Sequence, residues 1–155
     1  MAKPLPIFYL IVPDIRSRFN VRAIFRTADA LGVAKIFLTG YTPRPPHPKI
    51  DKVALGATDS VAWEYRPQTK KVIQELKKQK IQIVALEKTK HSLDFTKFKP
   101  RWPLALILGN EKIGLRSNIL KEADKIIHLP MLGKKESLNV AAAFAAAAYF
   151  IRFHS

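Results

Sequence analysis

Residues 7–39 read IFYLIVPDIRSRFNVRAIFRTADALGVAKIFLT. The pattern of this stretch indicates the fold class of the whole chain. The stretch begins and ends with short apolar runs, residues 7–12 and 35–39, whose length and composition are typical of buried strands. We expect a helix between them that opens at Asn20 and stops at Gly32. One face of that helix carries the apolar side chains Val21, Ile24, Phe25, Ala28 and Leu31.

The alternation of strand and helix continues along the rest of the chain. Further strands are predicted at residues 61–65, 81–86, 104–108 and 125–129, and further helices at 50–55, 70–80, 115–123 and 138–153. This order predicts an α/β fold with a mostly parallel sheet covered by helices on both faces. Ligands of such sheets bind beyond the carboxyl ends of the strands, so the loops there are the candidates for a functional site.

The charge of the chain indicates the kind of partner it meets. Its 27 Lys and Arg against 12 Asp and Glu leave a formal charge of +15 at pH 7. A small domain needs at most roughly 8 charges for solubility. The excess therefore favours nucleic acid as a partner over a merely solubilising surface. Part of the surface that faces nucleic acid is expected among the lysines of residues 70–80 and 88–101.

Composition also excludes several classes of protein. The chain has no cysteine, which removes disulfides, thiolate metal sites and cysteine nucleophiles and agrees best with the cytoplasm. We expect no metal, because the four histidines lack the spacing of metal ligands: His47, His91, His128 and His154. We expect no membrane partner either, because the longest apolar stretch, residues 140–151, is shorter than the ~20 residues of a spanning helix.

Three segments at predicted strand ends combine glycine with polar side chains. They read NVRAIFRTADALG at residues 20–32, LGNEKIGL at 108–115 and IHLPMLGKKESLNV at 127–140. Each has an ordinary explanation when taken alone: Asn20 as a helix cap, the paired glycines as a turn, and Ser137 or Asn139 as a cap of the last helix. No GxGxxG follows the first strand, which argues against a Rossmann-type nucleotide enzyme.

In this order and at these separations, the three segments resemble the motifs of the SpoU-type (TrmH-like) RNA 2′-O-ribose methyltransferases of the SPOUT superfamily. The resemblance runs from about Ile7 into the last helix. Two positions depart from the family pattern, Arg22 in the first motif and Ala141 after the third. The matching positions are Asn20 and Arg26 for the first motif, Gly109, Glu111 and Gly114 for the second, and residues 129–131 and 137–140 for the third.

The resemblance implies transfer of a methyl group from S-adenosylmethionine to a ribose 2′-hydroxyl of tRNA or rRNA, with S-adenosylhomocysteine as the product. It also implies a deep trefoil knot at the C-terminal end of the sheet, the α/β knot of the SPOUT superfamily, and a homodimer. We expect one methyltransferase domain over residues 1–155, with no appended RNA-binding domain. The alternative from another class is a catalytically silent, basic RNA-binding protein on the same fold.

The same resemblance implies roles for individual residues. The cofactor-binding positions, which act largely through the main chain, are Leu86, Gly109, Leu129, Met131 and Leu138. The catalytic positions are Arg26, Asn20, Glu111, Ser137 and Asn139. A guanidinium keeps its proton, so we expect Arg26 to bind a phosphate and orient the ribose rather than act as a base. The alanine-rich residues 141–148 pack either under the sheet or against a second subunit.

Overall fold

Seven parallel strands form one sheet in the computed structural model, which describes residues 4–45 and 60–154. The strands run in the spatial order β3-β2-β1-β6-β4-β7-β5, and each pair of neighbours is parallel. This confirms the predicted parallel sheet. The strands are β1 Phe8–Pro13, β2 Lys35–Thr39, β3 Trp63–Arg66, β4 Gln82–Leu86, β5 Leu93–Asp94, β6 Leu104–Ile107 and β7 Lys125–His128.

Helices cover both faces of this sheet, as predicted. They are α1 Arg18–Leu31, α2 Thr69–Lys78, α3 Ser117–Leu120 and α4 Val140–Phe153, with a short 3₁₀ turn at Phe95–Lys97. One buried apolar cluster joins α1 and α4 to the sheet, and a second joins α2 and α3 to the opposite face. The helix expected at residues 50–55 lies outside the described residues.

Strand β1 shows why the central strands read as continuous apolar runs. Phe8, Leu10 and Val12 belong to the cluster under α1 and α4, whereas Ile11 belongs to the cluster under α2 and α3. All four side chains are fully buried. A strand covered on both faces has no solvent side, so polar residues do not alternate with apolar ones.

The structure corrects several predicted boundaries. Helix α1 begins at Arg18 rather than Asn20, because Ser17 is the cap and its Oγ accepts the N–H of Asn20. Gly32 ends α1 as expected, with a φ of 66°. The helix predicted at 115–123 is only the four residues of α3. The segment predicted as a plain connector, residues 88–102, contains β5, whose two residues are too short to show a period.

Two further features bear on the sequence predictions. Within the described ranges, no helix is both long enough and apolar enough to cross a membrane. The knot implied by the family resemblance concerns the threading of the chain, which strand order does not test, so it stays a prediction.

Arg152 near the end of α4 ties together three parts of the chain. Its side chain is buried, at 9% exposure, and donates to the carbonyl oxygens of Pro6, Leu31 and Gly32 at 2.6, 2.9 and 2.9 Å. Burial lowers the pKa of the guanidinium. Two of the three carbonyls belong to the C-terminal end of α1, where the helix dipole favours a cation. Arg152 thus fastens α1 to α4 without a carboxylate partner among the described residues.

Replacing Arg152 with Met tests this contact. The three carbonyl oxygens lose a charged donor, so we expect the free energy of unfolding to fall by about 3 kcal/mol. Urea denaturation followed by circular dichroism measures the loss. Arg101→Met is the control, because the Arg101 side chain is exposed and makes no hydrogen bond or ion pair within the described part of the chain. Equal stability of the two variants would contradict the role given to Arg152.

Candidate functional site

A cavity of about 520 Å³ opens at the carboxyl ends of β4, β6 and β7. Its walls are the loops that follow these three strands and the first turn of α4. Ligand pockets commonly have volumes between about 300 and 1,000 Å³. The position is the one expected for a ligand of a parallel α/β sheet.

Eight of the ten residues that the sequence singled out line this cavity, and two do not. The eight are Leu86, Gly109, Glu111, Leu129, Met131, Ser137, Leu138 and Asn139. Asn20 lies behind the wall, where it is hydrogen-bonded to Glu111 and Asn139. Arg26 is exposed on α1 and is not part of the lining of its own chain's cavity.

The carboxylate of Glu111 joins the loop after β6 to the start of α1. Its Oε1 accepts the N–H of Arg16 at 3.2 Å, and its Oε2 accepts the N–H of Ser17 and the Nδ2 amide of Asn20, both at 3.0 Å. The N-terminal end of a helix carries a partial positive charge, which favours a carboxylate there. Glu111 therefore holds the second motif against the first.

Asn20 and Asn139 extend this contact to the third motif. Asn139 Nδ2 donates to Asn20 Oδ1 at 3.0 Å. Asn139 Oδ1 accepts the N–H groups of Ala141 and Ala142 at 2.9 and 3.3 Å, so Asn139 is the cap of α4. Asn20 is only 8% exposed and lies inside α1, which makes the cap interpretation of this residue wrong. Both amides position the cavity wall.

The surroundings of Glu111 favour its charged form. Burial by itself raises the pKa of this carboxyl, but the donors around it outweigh burial and hold the pKa below its ordinary value. These donors are the N–H groups of Glu111, Ser17 and Arg16 and the side-chain amide of Asn20. The group is therefore a fixed anion at neutral pH, which suits a structural acceptor rather than a proton donor.

Glu87, which the sequence analysis did not select, fixes the loop after β6 from the other side. Its Oε2 accepts the N–H of Leu115 at 2.7 Å. Gly114 has a φ of 67°, and a Cβ at this position would collide with the Glu87 carboxylate. The glycine in the second motif is thus required both by the backbone conformation and by the neighbouring side chain. In the sequence, Glu87 could be noticed only as a carboxylate that directly follows a predicted strand.

Asn110 is a second residue that sequence reasoning missed. Its Nδ2 donates to the carbonyl oxygen of Asp14 at 2.6 Å and to the Tyr41 hydroxyl at 3.1 Å. Its Oδ1 accepts the N–H groups of Lys112 and Ile113. Asn110 therefore links the loops after β1, β2 and β6, and it shapes the second motif from within.

The two arginines of the first motif differ in their surroundings. The guanidinium of Arg22 lies over the Phe19 ring, 3.6 Å from its centroid. The side chain of Arg26 has no hydrogen bond or ion pair with any residue in 4–45 or 60–154. An exposed guanidinium held only by its helix is available to a ligand.

The cavity wall fits the cofactor that the resemblance implies. Leu86, Leu129 and Met131 provide apolar surface suited to an aromatic base, while Glu87 and Glu136 add carboxylates suited to a charged amino-acid group. The close approach at Gly109, where a Cβ would lie 3.1 Å from Gly114 Cα, leaves backbone rather than side chain facing the cavity. Where the chain is described, no three metal-binding side chains gather in one place.

Comparison with known proteins identifies the family of this chain. The model of the SpoU rRNA methylase family matches residues 7–149. The tRNA (guanosine(18)-2′-O)-methyltransferase of Escherichia coli K12 is 31% identical over 153 residues, covering 96% of this chain and 64% of that protein. The AdoMet-bound rRNA methyltransferase of Sinorhizobium meliloti superposes with a TM-score of 0.89 at 28% identity, covering 96% of this chain and 56% of that one.

The fold and the site thus define an α/β protein whose ligand cavity is built from the loops that follow three strands of a parallel sheet. The chain belongs to the SpoU rRNA methylase family. It spans 64% of the length of the Escherichia coli relative. A 23S rRNA (guanosine-2′-O-)-methyltransferase of Bordetella pertussis is also similar, at 29% identity over 148 residues that make up 58% of its length.

Glu111→Gln tests the network that joins the motifs. The amide has one acceptor oxygen in place of two, so we expect the free energy of unfolding at pH 7 to fall by about 1 kcal/mol. Because the folded pKa of Glu111 is depressed, its contribution is present above the unfolded pKa and is lost as the pH falls through the folded pKa. The difference between wild type and variant should therefore shrink below about pH 4.

Urea titrations at several pH values measure this difference. Glu136→Gln is the matched control, because Glu136 also lines the cavity but accepts no hydrogen bond from the described residues. A Glu111→Gln variant whose deficit does not change between pH 7 and pH 3 would show that the carboxylate is not what holds the network.

Proposed function

We propose that this chain is an S-adenosylmethionine-dependent methyltransferase that modifies a ribose 2′-hydroxyl of tRNA or rRNA. One observation carries the proposal: Asn20 is hydrogen-bonded to both Glu111 and Asn139, which line the cavity, so residues of three distant motifs meet at its wall. The relatives include enzymes named for tRNA and for rRNA, so they support the reaction and both substrate classes.

The bound cofactor supplies an electrophilic methyl group on a sulfonium sulfur. The chain supplies the pocket, with the main chain around Gly109, Leu129 and Leu138 facing the ligand. Glu111, Asn20 and Asn139 act as positioning residues, because their polar atoms are occupied by one another and by backbone groups. Methyl transfer requires the attacking oxygen to be aligned with the methyl group, so the rigidity of this wall is a direct contribution to the rate.

Basic side chains stand where a phosphate backbone would meet the site. Lys134 and Lys135 are exposed on the loop between β7 and α4, which borders the cavity. We assign to Arg26 the phosphate next to the reactive ribose, since a guanidinium binds phosphate through two parallel hydrogen bonds and keeps its proton. Ser137, which lines the cavity without a side-chain hydrogen bond inside the described ranges, is placed to contact the substrate.

The surface of α1 and α4 supports a homodimer. One side of α4 lies under the sheet, and the other is an exposed apolar stripe made of Ala142, Ala146, Tyr149 and Phe153. Phe19 and Ala23 on α1 are also exposed, and Phe153 and Phe19 reach 69% and 64% exposure. A second copy covers this apolar surface in the proposal. Arg26 lies on the same exposed face of α1 as Phe19 and Ala23, since the three positions are four and three residues apart. In the proposed dimer, this face would bring Arg26 toward the partner's cavity.

Two further proposals complete the functional description. All described strands belong to one sheet, which supports the view that residues 1–155 form one methyltransferase domain. An RNA substrate and the lack of cysteine are consistent with action in the cytoplasm.

Arg26→Ala tests the reaction. We expect transfer of tritiated methyl groups to bulk tRNA and rRNA to fall about 100-fold, because the substrate loses its alignment, while S-adenosylhomocysteine binding measured by calorimetry stays unchanged. Arg18→Ala is the control, since Arg18 is exposed on the first turn of the same helix. Tight RNA binding by a wild-type protein that binds the cofactor but transfers no methyl group would favour the silent RNA-binding alternative.

Ala146→Glu tests the dimer. Two carboxylates brought together across an apolar contact repel each other and lose hydration, so sedimentation equilibrium should show a monomer where the wild type is a dimer. The control is Gln79→Glu, which adds the same charge at the exposed end of α2 on the opposite face of the sheet. If Ala146→Glu keeps the wild-type mass, α4 is not the dimer surface.

A further inference from the structure

His128, the last residue of β7, lines the cavity and is held by a serine from the loop after β4. The Ser92 Oγ lies 2.8 Å from His128 Nδ1. The same Oγ lies 2.9 Å from the carbonyl oxygen of Thr89 and accepts the N–H of Thr89 at 3.0 Å. Three polar contacts thus meet on one hydroxyl group.

The number of hydrogens on these groups decides which nitrogen of His128 carries the proton. A hydroxyl has one hydrogen to donate, and a carbonyl oxygen can only accept. The contact between Ser92 Oγ and Thr89 O therefore uses the Ser92 hydrogen. The contact with His128 must then be donated by the imidazole, which places a proton on Nδ1.

A neutral imidazole with its proton on Nδ1 has a free lone pair on Nε2. Among the described residues, this nitrogen has no hydrogen-bond partner. Because Ser92 holds the other edge of a ring that lines the cavity, Nε2 is an acceptor of fixed orientation available to a ligand. No metal cluster is formed around it within the described ranges.

We propose that His128 is a cofactor-binding residue whose Nε2 accepts a hydrogen bond from an N–H or O–H group in the adenosyl half of S-adenosylmethionine. Ser92 acts as a positioning residue that sets the tautomer. This inference rests on the proposed function and adds a side-chain contact to a pocket whose other implied contacts come from the main chain.

The charges of the wall favour the adenosyl half over the amino-acid half. The amino-acid group carries an ammonium and a carboxylate, for which the wall offers charged partners in Glu136, Lys88 and Lys112. Charged hydrogen bonds are the stronger ones, so these side chains are the better match for that group. A neutral acceptor suits the neutral donors of adenosine, its exocyclic amine and its ribose hydroxyls.

The tautomer is tested directly by ¹⁵N NMR of the imidazole rings in the free protein. We expect His128 Nδ1 to be protonated and Nε2 to be unprotonated at a pH where the ring is neutral. Ser92→Ala should shift the populations toward the other tautomer, a change that loss of stability alone does not cause. A wild-type ring protonated on Nε2 would overturn the proposal.

Calorimetric titration with S-adenosylhomocysteine tests the contact. His128→Phe leaves a ligand donor unpaired, so the dissociation constant should rise about tenfold. His128→Gln places an amide oxygen near the former Nε2 and should stay within about threefold of wild type, whereas the shorter His128→Asn should weaken binding as Phe does. Ser92→Ala should weaken binding in the wild type but add no loss to His128→Phe. Thermal unfolding confirms that each variant is folded.

The same titration with 5′-methylthioadenosine, which lacks the amino-acid group, separates the two halves of the ligand. We expect His128→Phe to weaken both ligands by the same factor. If His128→Phe weakens the binding of S-adenosylhomocysteine but not that of 5′-methylthioadenosine, His128 contacts the amino-acid half and the proposal is overturned. Wild-type affinity of His128→Phe for both ligands would also overturn it. A wild-type protein that binds neither ligand refutes the proposed function itself, whereas normal binding that His128 does not affect refutes only this inference.

Discussion

The carboxylate of Glu111 is the contact on which the geometry of the site depends. It accepts hydrogen bonds from the chain that enters α1 and from Asn20 within α1, across 91 to 95 residues of sequence. Asn20 in turn accepts from Asn139, 119 residues further along, which caps α4. One anion therefore sets the relative positions of the three loops. An anion with both of its oxygens hydrogen-bonded to fixed donors is a poor proton carrier but a rigid support.

Helix α1 is held at both ends by charges that match its dipole. Glu111 lies at the N-terminal end, and the buried Arg152 donates to two carbonyls at the C-terminal end. A helix fastened in this way presents a defined outer face. Arg26 and the exposed apolar residues of α1 lie on the part of the helix that neither anchor covers. The same two contacts that stabilise the fold therefore determine where the proposed catalytic arginine and dimer surface point.

The structure changes the functional roles that the sequence assigned to several motif residues. The family resemblance implies catalytic roles for Asn20, Glu111 and Asn139, yet these residues use their polar atoms on one another and on the backbone. Glu87 and Asn110 support the second loop in the same manner. Under the proposed function, the groups left to contact a ligand are the main chain of the loops, the Ser137 hydroxyl, the exposed Lys134 and Lys135, and Nε2 of His128. The site is thus a rigid polar frame around a small number of groups available for binding.

The basic character follows from composition, and the three motifs were identified by their resemblance to a known family. Local patterns were sufficient for six of the seven described strands and for the parallel α/β class, because periodicity and spacing record which face of an element is buried. They were insufficient for the start of α1, where Ser17 rather than Asn20 is the cap, and for β5, which is too short to show a period. They also passed over Glu87, Asn110 and the contact between Ser92 and His128. Each of these depends on a donor or acceptor that lies on another loop, and the identity of such a partner is established only when folding brings the carboxyl ends of the strands together.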